Sequence, residues 1–236
     1  MLKGKVALVT GATQGIGLAT AQALAAEGCN LVICGRNHNR LSRAKAALSR
    51  KEIRILALAC DVREEPSVTR MFASVRKQFL SLDILIHSAG IAHSFRPVAD
   101  LNIQDWNDVL ATNLTGTFLV TRAALPLIPR GGSIVNVLSM SSKRAFPNLA
   151  AYNASKFGAL GFNNTLREEL RPQGIRVIAI LPGSTDTPIW DTLWPEAPRH
   201  KMMRPETVAS ALVAALKLPP ESTVEELDLM PTTGAL

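Results

Sequence analysis

Only three cysteines, Cys29, Cys34 and Cys60, occur among the 236 residues. An odd number without metal-ligand spacing argues against a disulfide scaffold and against a metal site, and reduced, buried thiols suit a cytoplasmic protein. Aromatic residues are also scarce, at 5%. Basic residues are spread along the chain rather than clustered, so neither the stacking platform nor the cationic groove that a nucleic acid needs is expected. The net charge of +7 reads as a solvated surface that helps to attract an anionic ligand. No apolar run is long enough to span a bilayer, so no membrane partner is expected. Met1-Leu-Lys-Gly-Lys5 passes directly into a strand pattern and is not read as a cleavable signal. Linkers, internal repeats and low-complexity tracts are missing too. Hydrophobic residues at 47% against charged residues at 19% exclude disorder, and one domain over 1–236 is expected.

What the chain does have is an alternation of strand and helix patterns from end to end. Apolar runs at 6–10, 31–34, 53–59, 83–86, 133–138, 176–181 and 227–230 read as strands. Helices are expected at 15–27, 37–51, from the acidic stretch Arg63-Glu64-Glu65-Pro66 onward, at 102–127 with Asn102 as its cap, at 152–170 and at 205–216. The strands are almost continuously apolar, the mark of strands covered on both faces. The expected fold is therefore α/β: a single doubly wound parallel sheet of about seven strands flanked by helices on both faces. Residues 184–204 break the alternation. They hold three prolines and two tryptophans and read as an excursion over one end of the sheet.

The first strand runs into Thr10-Gly11-Ala12-Thr13-Gln14-Gly15-Ile16-Gly17 and then a helix. Gly11 permits a tight turn, and Gly15 and Gly17 permit close approach of a pyrophosphate and of the helix to the strand. Unpaired N–H groups and the positive dipole end favour an anion there. The spacing Gly-x-x-x-Gly-x-Gly resembles that of the short-chain dehydrogenases/reductases, and the resemblance runs from Lys3 to about Pro231. It extends to members such as the NADP(H)-dependent 3-oxoacyl-carrier-protein reductases. It implies a Rossmann-type sheet with Gly11, Thr13, Gln14, Gly15, Ile16 and Gly17 around a dinucleotide.

The second strand ends Cys34-Gly35-Arg36-Asn37. An acid at its end would bind the ribose 2′-hydroxyl of NAD(H), but Gly35 stands there, and Arg36 is placed to pair with a 2′-phosphate. NADP(H) is thus favoured over NAD(H), with Arg36 and Asn37 as contacts. The resemblance maps Asp61 and Val62 onto the adenine-contacting pair, although an Asp here can equally cap the next helix. His87-Ser88-Ala89-Gly90 replaces the family's Asn-Asn-Ala-Gly. Ser88, Ala89 and Gly90 keep the small residues for a close cofactor approach, while asparagine support of the central sheet is lost. Pro182-Gly183 and the following Thr185 and Thr187 resemble the loop under the nicotinamide.

Tyr152 and Lys156 are one helical turn apart on one face, and Ser139 ends the fifth strand thirteen residues earlier. The resemblance maps Asn113, Ser139, Tyr152 and Lys156 onto the family's catalytic tetrad. It implies hydride transfer between the nicotinamide and a ketone or secondary alcohol, with Tyr152 as general acid/base. A free phenol ionises near pH 10, too high for base work near neutrality, so the Lys156 ammonium and the oxidised nicotinamide ring, both positive, are expected to favour the phenolate. Ser139 would orient the substrate oxygen. Lys156 would also hold the nicotinamide ribose, and Asn113 a water leading to solvent.

Phe95, Phe146, Ile189, Trp190, Leu193 and Trp194 supply apolar substance near the expected substrate side, as a lid, a subunit contact or core. The resemblance also implies a homodimer or homotetramer through helices near Leu110–Leu119 and Phe157–Leu166. A carrier-linked substrate remains an alternative, with Arg130 and Arg171 as candidate carrier contacts. So does a non-catalytic NADP(H)-binding regulator.

Overall fold

The computed structural model describes residues 2–50 and 52–234. Its seven strands are β1 (Val6–Thr10), β2 (Asn30–Gly35), β3 (Ile55–Ala59), β4 (Ile84–His87), β5 (Ser133–Val137), β6 (Arg176–Pro182) and β7 (Glu226–Leu229). They form one parallel sheet in the order β3-β2-β1-β4-β5-β6-β7, as expected. The chain moves outward from β1 to β3, then returns to the other side of β1 for β4. The C-terminal ends of β1 and β4 therefore border the crevice where connections leave in opposite directions.

The expectation that both faces are covered holds residue by residue. Ala7, Val9, Leu31, Ile33, Ile84, Ile86 and Ile178 point to one face and pack with helices α1 (Gly15–Ala26), α2 (His38–Leu48) and α8 (Pro205–Leu216). Val6, Leu8, Val32, Leu85, Ile134 and Val177 point to the other. There they meet α3 (Glu65–Gln78), α5 (Gly116–Ala124) and α6 (Ala150–Leu170). Alternation along a strand sends successive side chains to opposite layers, so apolar residues are required at every position. Each fully buried Leu or Ile, such as Leu8 or Ile86, contributes about 1.5–3 kcal/mol.

Helix ends follow their sequence signals. Gly28, at φ +81°, terminates α1, and Asn37 Oδ1 caps α2 by accepting from the Arg40 N–H at 2.9 Å. Pro66 and Pro205 sit in first turns, where no N–H is needed. Several boundaries differ from the sequence reading. α2 ends at Leu48, β3 begins at Ile55, and α6 begins two residues before Tyr152. The proposed end of α2 at Lys51 lies outside the described residues.

The largest departure is the helix expected over 102–127. It consists of α4 (Ile103–Leu110), a π-helical turn over Ala111–Thr115, α5, and a 3₁₀ turn at Leu125–Leu127. The Gly116 N–H bonds to the Ala111 carbonyl, five residues back. A Cβ at Gly116 would lie 2.8 Å from Val62 Cγ2, so a glycine is needed to bring α5 this close to the β3–α3 connection. The irregular stretch 184–204 contains one short α-helical segment, α7 (Trp190–Leu193), and a 3₁₀ turn at Arg199–Lys201.

Candidate active site

A cleft of about 390 Å³ opens at the C-terminal edge of the sheet, over β1 and β4. Its floor is the glycine-rich turn. Gly11 adopts φ +66°, and a Cβ there would stand 2.7 Å from Ala89 Cα. A Cβ on Gly17 would stand 2.4 Å from the Gly11 carbonyl oxygen. These two glycines let the turn, the Ser88–Ala89 segment and the start of α1 touch through backbone alone. Thr10 Oγ1 ties them together, accepting from the N–H groups of Ser88 at 3.1 Å and Ala89 at 3.2 Å. No side chain caps α1 and its first turn holds no acid, so its free N–H groups face the cleft uncompensated. That donor set fits a pyrophosphate. Gly15 faces the opposite wall, where its Cβ would lie 3.2 Å from Thr187 Cγ2.

At the end of the cleft expected to receive the adenosine, the place of an acid at the end of β2 is filled by packing. A Cβ on Gly35 would lie 2.7 Å from Thr13 Cγ2. Arg36 is exposed, with Nη1 3.9 Å from Asp61 Oδ2. Beside it Arg40, one turn into α2, donates from Nη1 to Gln14 Oε1 at 2.7 Å. Arg40 was not singled out from the sequence. Its signal was the four-residue spacing from Arg36, legible only once α2 is known to start between them. Asp61 does not cap α3. Its Oδ1 accepts from the Arg63 N–H at 3.0 Å, and the Arg63 guanidinium grips both oxygens. Burial alone would raise the Asp61 carboxyl, but the bonds and charge of Arg63 outweigh it and hold it below its ordinary value. Asp61, Val62 and the buried, free Cys34 and Cys60 line this end.

Ser139, Tyr152 and Lys156 line the middle of the cleft. Ser139 sits just past β5, its Oγ accepting from the Ser141 N–H at 3.1 Å. Tyr152 and Lys156 project from the first two turns of α6. Lys156 Nζ lies 5.6 Å from the Tyr152 ring centroid and donates to the Val137 carbonyl at 3.2 Å. Burial raises the Tyr152 phenol above its ordinary value, and the hydrogen bond with Ser139 pulls less strongly the other way. Burial also lowers Lys156 to about 8. The protein alone therefore keeps the phenol protonated at neutral pH.

Asn113 lies in the π turn, buried at 3% exposure. Its Oδ1 accepts from the Ile91 N–H, and its Nδ2 donates to the Ile91 carbonyl, both at 2.9 Å. Nδ2 also donates to Ser155 Oγ at 3.0 Å. The side chain thus fastens the strand-end segment Gly90–Ile91 to α6 between Tyr152 and Lys156. A Cβ at Gly90 would stand 3.4 Å from Asn113 Oδ1 and 3.9 Å from Lys156 Nζ, so this glycine leaves room beside the ammonium. His87 is buried too, with Nε2 2.9 Å from Thr121 Oγ1.

Pro182 ends β6 on the far wall, and Gly183 follows it. The Gly183 N–H bonds the Leu229 carbonyl at 2.7 Å. Thr185 Oγ1 donates to the Gly183 carbonyl at 3.0 Å, while Thr187 lines the cleft without such a bond. From here the 184–204 segment folds over the site. Trp190 Nε1 donates to the Thr185 carbonyl at 2.9 Å, and Ile189, Trp190 and Leu193 pack with Phe146 and Tyr152. Arg199 holds the segment through Asp186 at 2.8 Å and Asp191 at 2.6 Å. These three apolar residues cover the tyrosine side of the cleft. Trp194 instead faces outward against Phe95, their centroids 6.2 Å apart. Arg144 and Met230 also line this side. Arg130 and Arg171 precede β5 and β6, at the opposite edge of the sheet from the cleft, and Arg171 is engaged by Glu168 and Glu225. No helix among the described residues is long and apolar enough to cross a membrane, and none of their His, Cys, Asp and Glu side chains form a metal-ligating group.

The family model for short chain dehydrogenase matches residues 5–198. A 3beta-hydroxysteroid dehydrogenase of Mediterraneibacter gnavus is 38% identical over 186 residues, 78% of this chain and 67% of that protein. Among solved structures, an alcohol dehydrogenase of the archaeon Thermococcus sibiricus, complexed with 5-hydroxy-NADP, superposes with a TM-score of 0.90. It shares 30% identity and covers 98% of this chain and 97% of its own. A 3-ketoacyl-(acyl-carrier-protein) reductase of Brucella melitensis complexed with NADH gives a TM-score of 0.88 at 29% identity, covering 98% and 99%.

Proposed function

The chain belongs to the short-chain dehydrogenases, an oxidoreductase family, and on that premise we propose that it is an NADP(H)-dependent reductase of a ketone, or dehydrogenase of the matching secondary alcohol. The observation that carries this reading is the convergence of Ser139, Tyr152 and Lys156 in a cleft whose other end is bordered by Arg36 and Arg40. Gly11, Thr13–Gly17, Ser88–Gly90, Asp61, Val62, Pro182, Gly183, Thr185 and Thr187 would hold the dinucleotide along that cleft. Arg36, Asn37 and Arg40 would take its 2′-phosphate. When bound, the nicotinamide supplies or accepts the hydride.

The protein's share of the chemistry concerns one proton. Tyr152 carries it at neutral pH because burial disfavours the phenolate, so the resting side chain is already a donor to a carbonyl oxygen. Ser139 Oγ fixes that oxygen beside the phenol. Lys156, titrating near 8, places a cation 5.6 Å from the ring and stabilises the phenolate left after donation. Asn113 positions Gly90–Ile91 and α6 so that these groups keep their spacing. The wall of Ile189, Trp190 and Leu193 excludes water above the phenol and favours a substrate with an apolar body. A homodimer or homotetramer is part of this reading, supported by Phe118 and Phe157, each more than 40% exposed on α5 and α6. The three free, buried cysteines support residence in the cytoplasm. Carrier-linked ketones form the second substrate class, supported by the likeness to the Brucella melitensis reductase.

Tyr152 is the only tyrosine in the chain, so its ionisation can be followed directly by ultraviolet difference absorbance. The expected titration lies above that of free tyrosine in the protein alone. In Tyr152→Phe, NADPH oxidation with ketones should fall at least a hundredfold, about the lower bound for losing a general acid, while NADPH binding by fluorescence persists. Near-normal turnover in that variant overturns the proposal.

A further inference from the structure

Among the described residues, the substrate half of the cleft holds two cations without a carboxylate partner, Lys156 beside Tyr152 and Arg144 at the exposed rim. Among the described residues Asp61 is the only carboxylate lining the cleft, and it sits at the far end from Tyr152 in the grip of Arg63. Acids near the mouth are already engaged. Asp186 and Asp191 are held by Arg199, and Glu226 and Asp228 by Lys143 at 2.7 and 2.8 Å. Arg144 follows Lys143 directly and lines the cleft beside Phe146, five residues past Ser139. Its backbone N–H bonds the Met140 carbonyl at 3.0 Å. Among the described residues its guanidinium has neither an ion pair nor a hydrogen bond. The segment is anchored on both sides of it: Lys143 ties it to β7, and Asn153 Nδ2 donates to the Phe146 carbonyl at 2.8 Å.

An exposed arginine fork on an anchored segment, at the rim of a largely apolar chamber with no acid among its described lining there, is matched by a planar anion on an otherwise apolar molecule. We propose that the substrate is an oxo acid, or the corresponding hydroxy acid, whose carboxylate is received by Arg144 while its carbonyl oxygen lies at Tyr152. This rests on the oxidoreductase reading above and names the substrate class of the same site. Arg144 then selects among ketones and takes no part in proton transfer. Its effect falls on KM for the anion more than on turnover.

The test uses matched pairs: 5-oxohexanoate and its methyl ester, 4-oxopentanoate and its methyl ester, and 2-oxo-2-phenylacetate and its methyl ester. Each is assayed by NADPH oxidation with the wild-type protein, Arg144→Met and Arg144→Lys. The expected result is a preference for the acid in at least one pair of about tenfold or more in kcat/KM, carried by KM, the size of one charge-assisted contact. In Arg144→Met that acid-to-ester ratio should collapse toward one, with Arg144→Lys in between. General damage to the fold would lower both members of a pair and leave the ratio standing. Equal rates on acids and esters in the wild type, or a ratio unmoved by Arg144→Met, overturns the proposal while leaving the oxidoreductase reading intact. Failure to reduce any member of any pair, together with no turnover on neutral ketones, overturns both.

Discussion

Replacing Asn113 by Ala removes one amide that makes three hydrogen bonds, two to the backbone of Ile91 and one to Ser155. Each is worth about 1 kcal/mol net, and the Ile91 N–H and carbonyl lose their side-chain partner in a region only 3% exposed at Asn113. The expected cost is therefore about 3 kcal/mol. For a chain of this length that is about 6–12 °C in melting temperature, less than the whole of a stability of about 5–15 kcal/mol, so the variant should still fold. The consequence for activity follows from position. Ile91 and Gly90 line the cleft beside Lys156, and Ser155 is adjacent to it on α6, so loosening this clasp should lower kcat while cofactor binding weakens less. Asn113→Asp preserves the shape but puts an oxygen where Nδ2 donates to the Ile91 carbonyl, and it should be at least as damaging as Ala. Urea denaturation supplies the stability change, and steady-state kinetics with an NADPH titration supplies the rest. A loss below about 0.5 kcal/mol for Asn113→Ala, with unchanged kcat, would refute the assignment of Asn113 as the clasp between β4 and α6.

The double variant Arg36→Ala/Arg40→Ala should weaken NADPH binding by about tenfold or more and leave NADH binding nearly unchanged, because each charge-assisted bond to a phosphate is worth about 1.5–3 kcal/mol; parallel losses for the two cofactors would contradict the 2′-phosphate site. Gly17→Ala places a methyl 2.4 Å from the Gly11 carbonyl oxygen and should destabilise the protein by about 1–3 kcal/mol while abolishing cofactor binding, which thermal melts with and without NADPH will test. His87 provides a pH prediction. Burial lowers it to about 3 from its ordinary 6.5, so between those values the unfolded chain binds a proton that the folded chain refuses, and stability falls as the pH drops through that window. His87→Asn should lose stability less steeply there, by up to about 1.4 kcal/mol per pH unit. Identical acid limbs in urea titrations at pH 7, 5 and 4 would show that His87 is not held neutral.

Where the sequence alone was decisive, the reason is local. Short continuous apolar runs alternating with longer helical patterns point to strands covered on both faces of a parallel sheet. The spacing of Gly11, Gly15 and Gly17 speaks through backbone conformation and close approach. Tyr152 and Lys156 share a helix face whatever surrounds them. Tertiary structure decided what depends on neighbours far along the chain. The helical pattern of 102–127 gave no sign of the π turn at Ala111–Thr115, which arises where Gly116 must meet Val62 and Asn113 must reach Ile91 and Ser155. The protonated state of Tyr152 and the lowered Lys156 come from burial, which no local pattern reports. Ile189, Trp190 and Leu193 became a wall over the tyrosine, and Trp194 did not, because Arg199 and the Thr185 carbonyl set the path of that segment. Arg144 looks like any surface arginine in sequence. Its character comes from the cleft it borders and from neighbouring acids already bound to other cations, an electrostatic balance that exists only once distant residues are brought together.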